Sequence, residues 1–139
     1  MILRRVYYEL FPHEVDDNGS YQCVEDHRLD REIRLEFDLD VTLFVSWISE
    51  PVQYCVGHKG SSFFGRGEAV CYEATNHPFW SGLIGRNVHI SHLDENCQVL
   101  RVNCGPASVF LMSCDGRNWA ADTLTVSDKE PAFVPNPPI

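Results

Sequence analysis

The sequence has no long hydrophobic run. Its longest mainly apolar stretch extends from Val41 to Ile48 and is interrupted by Thr42 and Ser46, whereas a membrane-spanning helix needs roughly 20 apolar residues. The N-terminal residues also lack the apolar segment and the small-residue cleavage site of a secretory signal. We therefore expect no membrane partner and a cytoplasmic location.

Basic residues are scarce as well. Lys and Arg total 11 against 20 Asp and Glu, which gives a formal net charge of −9. A nucleic-acid-binding surface needs clustered basic residues, and Arg4 and Arg5 form the only adjacent pair of such residues. The composition therefore predicts no nucleic-acid partner.

The motifs of common catalytic and metal sites are also absent. The six cysteines include no C-x-x-C pair, which argues against a zinc ribbon, a zinc finger and a thioredoxin-type redox motif. In a chain without a secretory signal we expect them to be reduced and mostly buried. The serine-hydrolase, metalloprotease and P-loop patterns are missing too, so we predict no catalytic residue, no metal site and no cofactor.

Acidic residues are present in excess and are concentrated near the N-terminus. The segment from Glu9 to Asp40 holds eleven acids against three arginines, for a net charge of −8. Those acids are Glu9, Glu14, Asp16, Asp17, Glu25, Asp26, Asp30, Glu32, Glu36, Asp38 and Asp40. Such a segment is either a solvated face that keeps the protein in solution or a docking surface for a basic partner.

Hydrophobic alternation gives the clearest structural signal. Every odd position from Ile33 to Trp47 is apolar, and the even positions from Glu32 to Asp40 are charged. This period of two predicts strands. The run is too long for one ordinary strand, so we expect a hairpin with its break near Leu39-Asp40, although the favoured Asn-Gly or Asp-Gly turn is not there.

The remaining segments predict a mainly β domain. We expect a strand over Leu3 to Phe11, a turn at Asp16 to Gly19, a short strand over Val52 to Val56, a Gly-rich loop from Gly57 to Gly67, and a short helix capped by Asn76 and ended by Gly85. Four further strands follow, over Asn87 to Leu93, Cys97 to Asn103, Ser108 to Cys114 and Trp119 to Val126, with a hairpin at Asp115-Gly116. The predicted fold class is α+β, mainly β, with an antiparallel sheet of about six strands, a C-terminal meander and one short helix. Residues 1–130 form one domain, and 131–139 form a Pro-rich extended tail.

A few side chains are candidates for chemistry. His58, at the rim of the Gly-rich loop, would need Cys55 or Cys71 beside it to form a nucleophilic pair or zinc ligands. His89 and His92 are three residues apart on a predicted strand, so they point to opposite faces and do not share an ion. Asp122 would need a partner if its face of the last strand were buried.

Three segments resemble small bacterial proteins of immunity type, which are encoded beside secreted toxins. They are Pro51-Val-Gln-Tyr-Cys-Val-Gly57, His77-Pro-Phe-Trp-Ser-Gly-Leu-Ile-Gly-Arg86 and Gly116-Arg-Asn-Trp-Ala-Ala-Asp-Thr-Leu-Thr-Val-Ser127. The resemblance lies in general appearance over the C-terminal two thirds and carries no catalytic residue to this chain. It implies a small, acidic, cytosolic inhibitor that blocks a basic toxin by charge complementarity.

The leading hypothesis is accordingly a non-catalytic protein-binding domain of immunity type with a basic protein partner. Its predicted partner-binding residues are Glu32, Glu36, Asp38, Asp40, Phe63 and Phe64, the two phenylalanines lying in the Gly-rich loop, where burial in the core is the alternative. Two other functions stay open. One is a small enzyme or zinc-binding protein that uses Cys and His around the Gly-rich loop, and the other is a structural or assembly subunit.

Overall fold

The computed structural model describes residues 1–16, 21, 27–48, 55–65, 67–115, 118–119 and 122–131, with only the backbone described at 115 and 118–119. The strands are β1 (Leu3–Leu10), β2 (His27–Leu29), β3 (Glu32–Phe37), β4 (Thr42–Ile48), β5 (Cys55–Lys59), β6 (Val70–Glu73), β7 (His89–His92), β8 (Val99–Cys104), β9 (Ala107–Met112), β10 (Cys114–Asp115), β11 (Asn118–Trp119) and β12 (Leu124–Ser127). A 3-10 turn covers Pro12–Glu14, and the helix α1 covers Pro78–Ser81.

The described strands form two five-stranded antiparallel sheets and a two-stranded ribbon. The first sheet has the order β5-β4-β3-β1-β6, the second has the order β2-β12-β9-β8-β7, and β10 pairs with β11. The predicted mainly β class with one short helix is confirmed, with the strands divided between two sheets. No helix in the described residues is long and apolar enough to cross a membrane.

The predicted hairpin break is confirmed. The ladder of β3 and β4 pairs Ile33 with Val45 and Leu35 with Leu43, which keeps the odd positions on the inner face. Between the strands, Leu39 and Asp40 have φ values of 58° and 57°. Leu39 belongs to the apolar alternation but lies in this turn, so it is exposed rather than buried.

The inner faces of the two sheets share one apolar core. Its fully buried members come from both sheets and from the segment around α1: Leu3, Val6, Tyr8 and Leu10 of β1, Ile33 and Leu35 of β3, Val45 of β4, Leu100 and Val102 of β8, Val109 and Leu111 of β9, Leu124 and Val126 of β12, with Trp80 and Leu83. Burial of this apolar area is the main favourable term in the stability of the fold.

The C-terminal meander is confirmed for β7, β8 and β9, which are consecutive hairpin-linked strands. The predicted strand from Trp119 was wrong in its start. Cys114 pairs with Trp119 and Asp115 with Asn118, so the predicted hairpin exists as a short ribbon, and the last strand begins only at Leu124.

The Gly-rich loop begins later than expected, because β5 continues through Gly57 to Lys59. Gly57 lies opposite Ser46 in the ladder, and a Cβ atom at Gly57 would lie 2.4 Å from Cδ1 of Ile48. A larger residue at this position would displace the Ile48 side chain, so Gly57 belongs to a close contact inside a strand rather than to a flexible loop.

The helix is shorter than predicted and its cap is one residue later. Nδ1 of His77 accepts a hydrogen bond from the Phe79 backbone N–H at 3.2 Å, so His77, not Asn76, is the N-cap. Four predictions reach outside the described residues: most of the turn at Asp16 to Gly19, most of the strand at Val52 to Val56, Gly116, and the tail beyond residue 131.

Candidate functional site

Residues 36–42, here called the hairpin tip, join β3 to β4 and hold three of the predicted partner-binding residues. The turn is closed by hydrogen bonds from Val41 N to Asp38 O (3.3 Å) and from Phe37 N to Val41 O (2.8 Å). Asp38 ties the tip to β1, because its Oδ1 accepts from Ile2 N at 3.0 Å and its N donates to Ile2 O at 3.0 Å. Asp38 therefore has a structural role in addition to its charge.

The hairpin tip exposes apolar side chains. Among the described residues the exposed large hydrophobic side chains are Leu39 (89%), Met1 (53%) and Val41 (38%). Leu39 and Val41 belong to the tip, and Met1 precedes the Ile2 that is bonded to Asp38. All three therefore lie at the same end of the first sheet.

Carboxylates surround this apolar surface. A cavity of about 270 Å³ is lined by Glu36, Phe37, Asp40, Val41 and Thr42. Glu36 lies 3.7 Å from Nε of Arg34 and keeps a partly exposed side chain, and Asp40 is exposed. The cavity thus places two carboxylates next to the exposed apolar side chains of Leu39 and Val41.

Glu32 does not lie on this surface, so the expectation that it is a surface carboxylate was wrong. Its side chain is 1% exposed and pairs with Nη1 of Arg31 at 3.0 Å. Its second role is to hold the loop after β5, because it accepts hydrogen bonds from Ser62 Oγ (2.5 Å) and Phe63 N (2.9 Å). The loop covers Glu32, whose buried carboxylate in turn holds the loop in place through these two hydrogen bonds.

Phe63 and Phe64 belong to that loop and are half-buried. The Phe64 ring meets Phe11 edge-to-face at a centroid distance of 5.3 Å, and the Arg31 guanidinium lies 5.3 Å from its centre. The ammonium group of Lys59 lies 4.6 Å from the centre of the Phe63 ring. The six predicted partner-binding residues thus form two groups at opposite ends of β3.

Most other described acids of the N-terminal segment have internal partners. Glu9 lies 3.1 Å from Arg34. Glu14 accepts hydrogen bonds from the backbone N–H groups of Phe11 (2.7 Å) and Asp30, and burial raises the pKa of its carboxyl. Among the described acids of this segment, Glu9, Glu14 and Glu32 therefore serve internal contacts, whereas Glu36 and Asp40 line the cavity at the hairpin tip.

The structure separates the proposed Cys and His pair. His58 is on the edge strand β5, and Cys71 is on β6, the opposite edge of the same five-stranded sheet. Four strand spacings of about 4.8 Å place the two edges roughly 19 Å apart, so the pairing of His58 with Cys71 was wrong. Burial raises the pKa of the Cys71 thiol, which lowers its thiolate fraction at neutral pH.

Other candidate ligands do not converge either. Cys55 is buried and three residues from His58 on one strand, so their side chains point to opposite faces. The ring near His58 is His92, at a centroid distance of 6.1 Å. No group of three or more potential metal ligands occurs among the residues for which placement is described. Asp122 is exposed, so it needs no buried partner.

Sequence reasoning missed a buried polar cluster in the core. His27 is fully buried, and its Nδ1 lies 2.6 Å from the Tyr8 hydroxyl, which also accepts from Trp80 Nε1 at 2.9 Å. Its Nε2 lies 3.1 Å from Nε2 of His77. Burial, and to a smaller extent His77, lowers the pKa of His27 to about 4. The sequence carries no signal for this cluster, because its members lie on separate elements.

Comparisons with protein-family models, with curated proteins and with solved structures find no match for this chain. The resemblance to immunity proteins therefore stays a prediction.

Proposed function

We propose that the protein is a non-catalytic protein-binding domain of immunity type, which docks the hairpin tip onto a basic partner. The observation that carries this proposal is Leu39, an 89% exposed leucine with a φ of 58° beside the acidic cavity of Glu36 and Asp40. Leucine at this position destabilises the folded chain through its backbone conformation and through its exposed apolar side chain. A bound partner would compensate for the second cost by covering the side chain.

The first cost is conformational. A left-handed backbone costs an L-residue roughly 1–2 kcal/mol, and glycine or asparagine are the usual residues at such turn positions. The second cost is the contact of a large apolar side chain with water, about 25 cal/mol for each Å² left exposed. Strained residues that the surrounding fold maintains concentrate at functional sites, which supports a binding role for this turn.

Charge supports the chemistry of the partner. The chain has a net charge of −9, and Glu36 and Asp40 line the cavity at the tip. Such an arrangement attracts a positively charged protein and speeds its association at low ionic strength. Apolar contact with Leu39 and Val41 would then slow dissociation, because affinity differences between related complexes are expressed mainly in the off-rate.

The first experiment identifies the partner. The full chain, tagged and expressed in its native cells, is purified at low and at high salt, and co-purifying proteins are identified by mass spectrometry. We expect one stoichiometric basic protein that is lost at high salt. For an immunity-type inhibitor, adding the chain in an equimolar amount should also abolish the activity of that protein.

The second experiment tests the surface. The double variant L39N/D40G introduces favoured turn residues and should fold, yet we expect it to lose the partner. E36K/D40K should slow association at least tenfold at low salt. The control, Glu95→Gln, removes an exposed acid from the turn between β7 and β8 and should leave binding unchanged. Retention of full affinity by both tip variants would place the binding surface elsewhere.

A further inference from the structure

The pair formed by the buried His27 and the half-buried His77 connects two parts of the fold that are far apart in sequence. His27 is the first residue of the edge strand β2, where it pairs with Val126, and His77 is the N-cap of α1. The described side chains that contact the His27 ring are Tyr8 of β1, Tyr21, and His77 and Phe79 at the start of the helix. None of these four groups supplies a negative charge at neutral pH.

The hydrogen bonds determine where each imidazole carries its proton. The Phe79 N–H donates to Nδ1 of His77, so in the neutral ring Nδ1 is bare and the proton is on Nε2. That Nε2–H must then donate to Nε2 of His27 across 3.1 Å. Nε2 of His27 is therefore bare, and its Nδ1–H donates to the Tyr8 oxygen.

A further proton cannot bind to either imidazole without breaking one of these hydrogen bonds. The two nitrogens still able to bind a proton are Nδ1 of His77 and Nε2 of His27, and each already accepts an N–H hydrogen bond. Protonation of the first opposes the Phe79 N–H and removes the helix cap. Protonation of the second places two N–H groups against each other and leaves a charge in a fully buried ring.

We propose that the His27–His77 pair is an acid-sensitive latch, which holds β2 against the start of α1 at neutral pH and opens when either imidazole takes up a second proton. The opening affects a three-residue edge strand and a four-residue helix. Both are short elements with few hydrogen bonds of their own, and such elements open before the rest of a fold.

The direction of the shift in the pKa of His27 predicts the loss of stability at low pH that this proposal requires. Burial lowers it from 6.5 to about 4 in the folded protein. Between these two pH values the unfolded chain binds more protons than the folded one, so stability is lost as pH falls through this window. A difference of about 2.5 pH units corresponds to a rise of up to about 300-fold in the unfolding equilibrium constant.

A metal ion held between the two Nε2 atoms is the competing explanation of their short distance. A histidine that binds a metal through Nε2 carries its remaining proton on Nδ1, which then donates to an acceptor. Nδ1 of His77 instead faces the Phe79 N–H. The geometry therefore favours a hydrogen bond between the rings.

The decisive readout is the tautomer of each ring. Long-range ¹H–¹⁵N spectra of the full chain at pH 7 should show His27 protonated at Nδ1 and His77 at Nε2, and the His27 signals should titrate well below pH 6. The protection factor of the Phe79 amide, which accounts for the intrinsic pH dependence of exchange, should fall at least tenfold from pH 6.5 to pH 4.5, and at both pH values it should stay below that of the core Leu111 amide, because the latch opens without unfolding the core. An Nε2-protonated His27, a titration above pH 6, or displacement of its signals by added Zn²⁺ would overturn the latch.

Two variants separate the latch from the helix cap. His77→Asn keeps an oxygen that can cap α1 but removes the ring bonded to His27, and it should reduce the dependence of stability on pH. His27→Gln removes the titrating ring and should abolish that part of the dependence. His89→Gln, on the exposed face of β7, is the matched control and should keep the wild-type slope. An unchanged slope in His77→Asn would refute the latch even if His27→Gln failed to fold.

Discussion

The two ends of β3 have the same type of residue on the same face of the strand but use it in opposite ways. Glu32, at one end, is 1% exposed and is bonded to Arg31, Ser62 and Phe63. Glu36, near the other end, is 32% exposed and lies 3.7 Å from Arg34. The difference arises from the loop after β5, which covers the first carboxylate and leaves the second in contact with solvent.

This comparison shows that charge in the sequence does not by itself mark a docking surface. At the covered end a carboxylate satisfies donors of the protein, and removing it would leave a buried cation. At the hairpin tip the carboxylates of Glu36 and Asp40 remain in contact with solvent. Four substitutions test how far this difference extends.

The largest loss of stability is expected on substitution of Glu32, at the covered end of β3. Glu32→Ala should destabilise the protein by about 3–5 kcal/mol, because it leaves the buried Arg31 guanidinium without its counter-ion. Urea unfolding of the full chain measures the change. Glu32→Gln keeps an acceptor for Phe63 N and should cost less than Glu32→Ala. A loss below about 1 kcal/mol for the alanine variant would mean that the loop does not depend on Glu32.

The next effect concerns the ring that closes the loop. Phe64→Ala should cost about 2 kcal/mol, less than a fully buried phenylalanine, because it removes contacts with Phe11 and Arg31 from a half-buried position. Thermal and urea unfolding give the value. Phe64→Leu retains apolar contact and should recover part of the loss, and equal losses for the two variants would argue against a specific role of the ring.

At the exposed end of β3 we expect a substitution to raise the free energy of unfolding instead of lowering it. Leu39→Gly should stabilise the protein by about 1 kcal/mol, because glycine adopts a positive φ without the steric cost that leucine has. Leu39→Ala is the matched control: it removes the same exposed side chain but keeps Cβ, so it should give little gain. A destabilised glycine variant, by the same unfolding assay, would show that leucine at this position supports the turn.

The smallest effect is expected for Glu36→Gln, at no more than about 0.5 kcal/mol, since partly exposed ion pairs contribute little to stability. Compared with Glu32→Gln in one urea series, it gives the difference between the two ends of β3 for the same chemical change. Equal losses for the two variants would remove the distinction.

Much of the fold was predictable because its signals are local. Alternation from Ile33 to Trp47 identified both strands and the turn between them, and turn residues identified the C-terminal meander. Sequence patterns located the ends of elements less reliably: Gly57 continues a strand, paired with Ser46 and packed against Ile48, and His77 replaces Asn76 as the helix cap. Both outcomes depend on contacts that a short sequence window does not contain.

The candidate site was predictable only in part. Glu36, Asp38 and Asp40 do lie together at the hairpin tip, whereas Glu32, Phe63 and Phe64 lie with the loop at the other end of β3. Strand alternation places Glu32 and Glu36 on the same face and cannot reveal that a distant segment returns to cover one of them. The exposure and strain of Leu39 likewise follow from the turn geometry, since the sequence pattern assigns Leu39 to the buried series.

The sequence by itself determined the mainly β class, the β3–β4 hairpin, the single short helix and the acidic balance, because each follows from periodicity or composition over neighbouring residues. Only the tertiary structure decided which acids became internal anchors, which apolar side chain remained exposed at the tip, and that His27 meets His77 and Tyr8 in the core. These outcomes require residues far apart along the chain to be brought within hydrogen-bonding distance, and such proximity is a property of the complete packed fold.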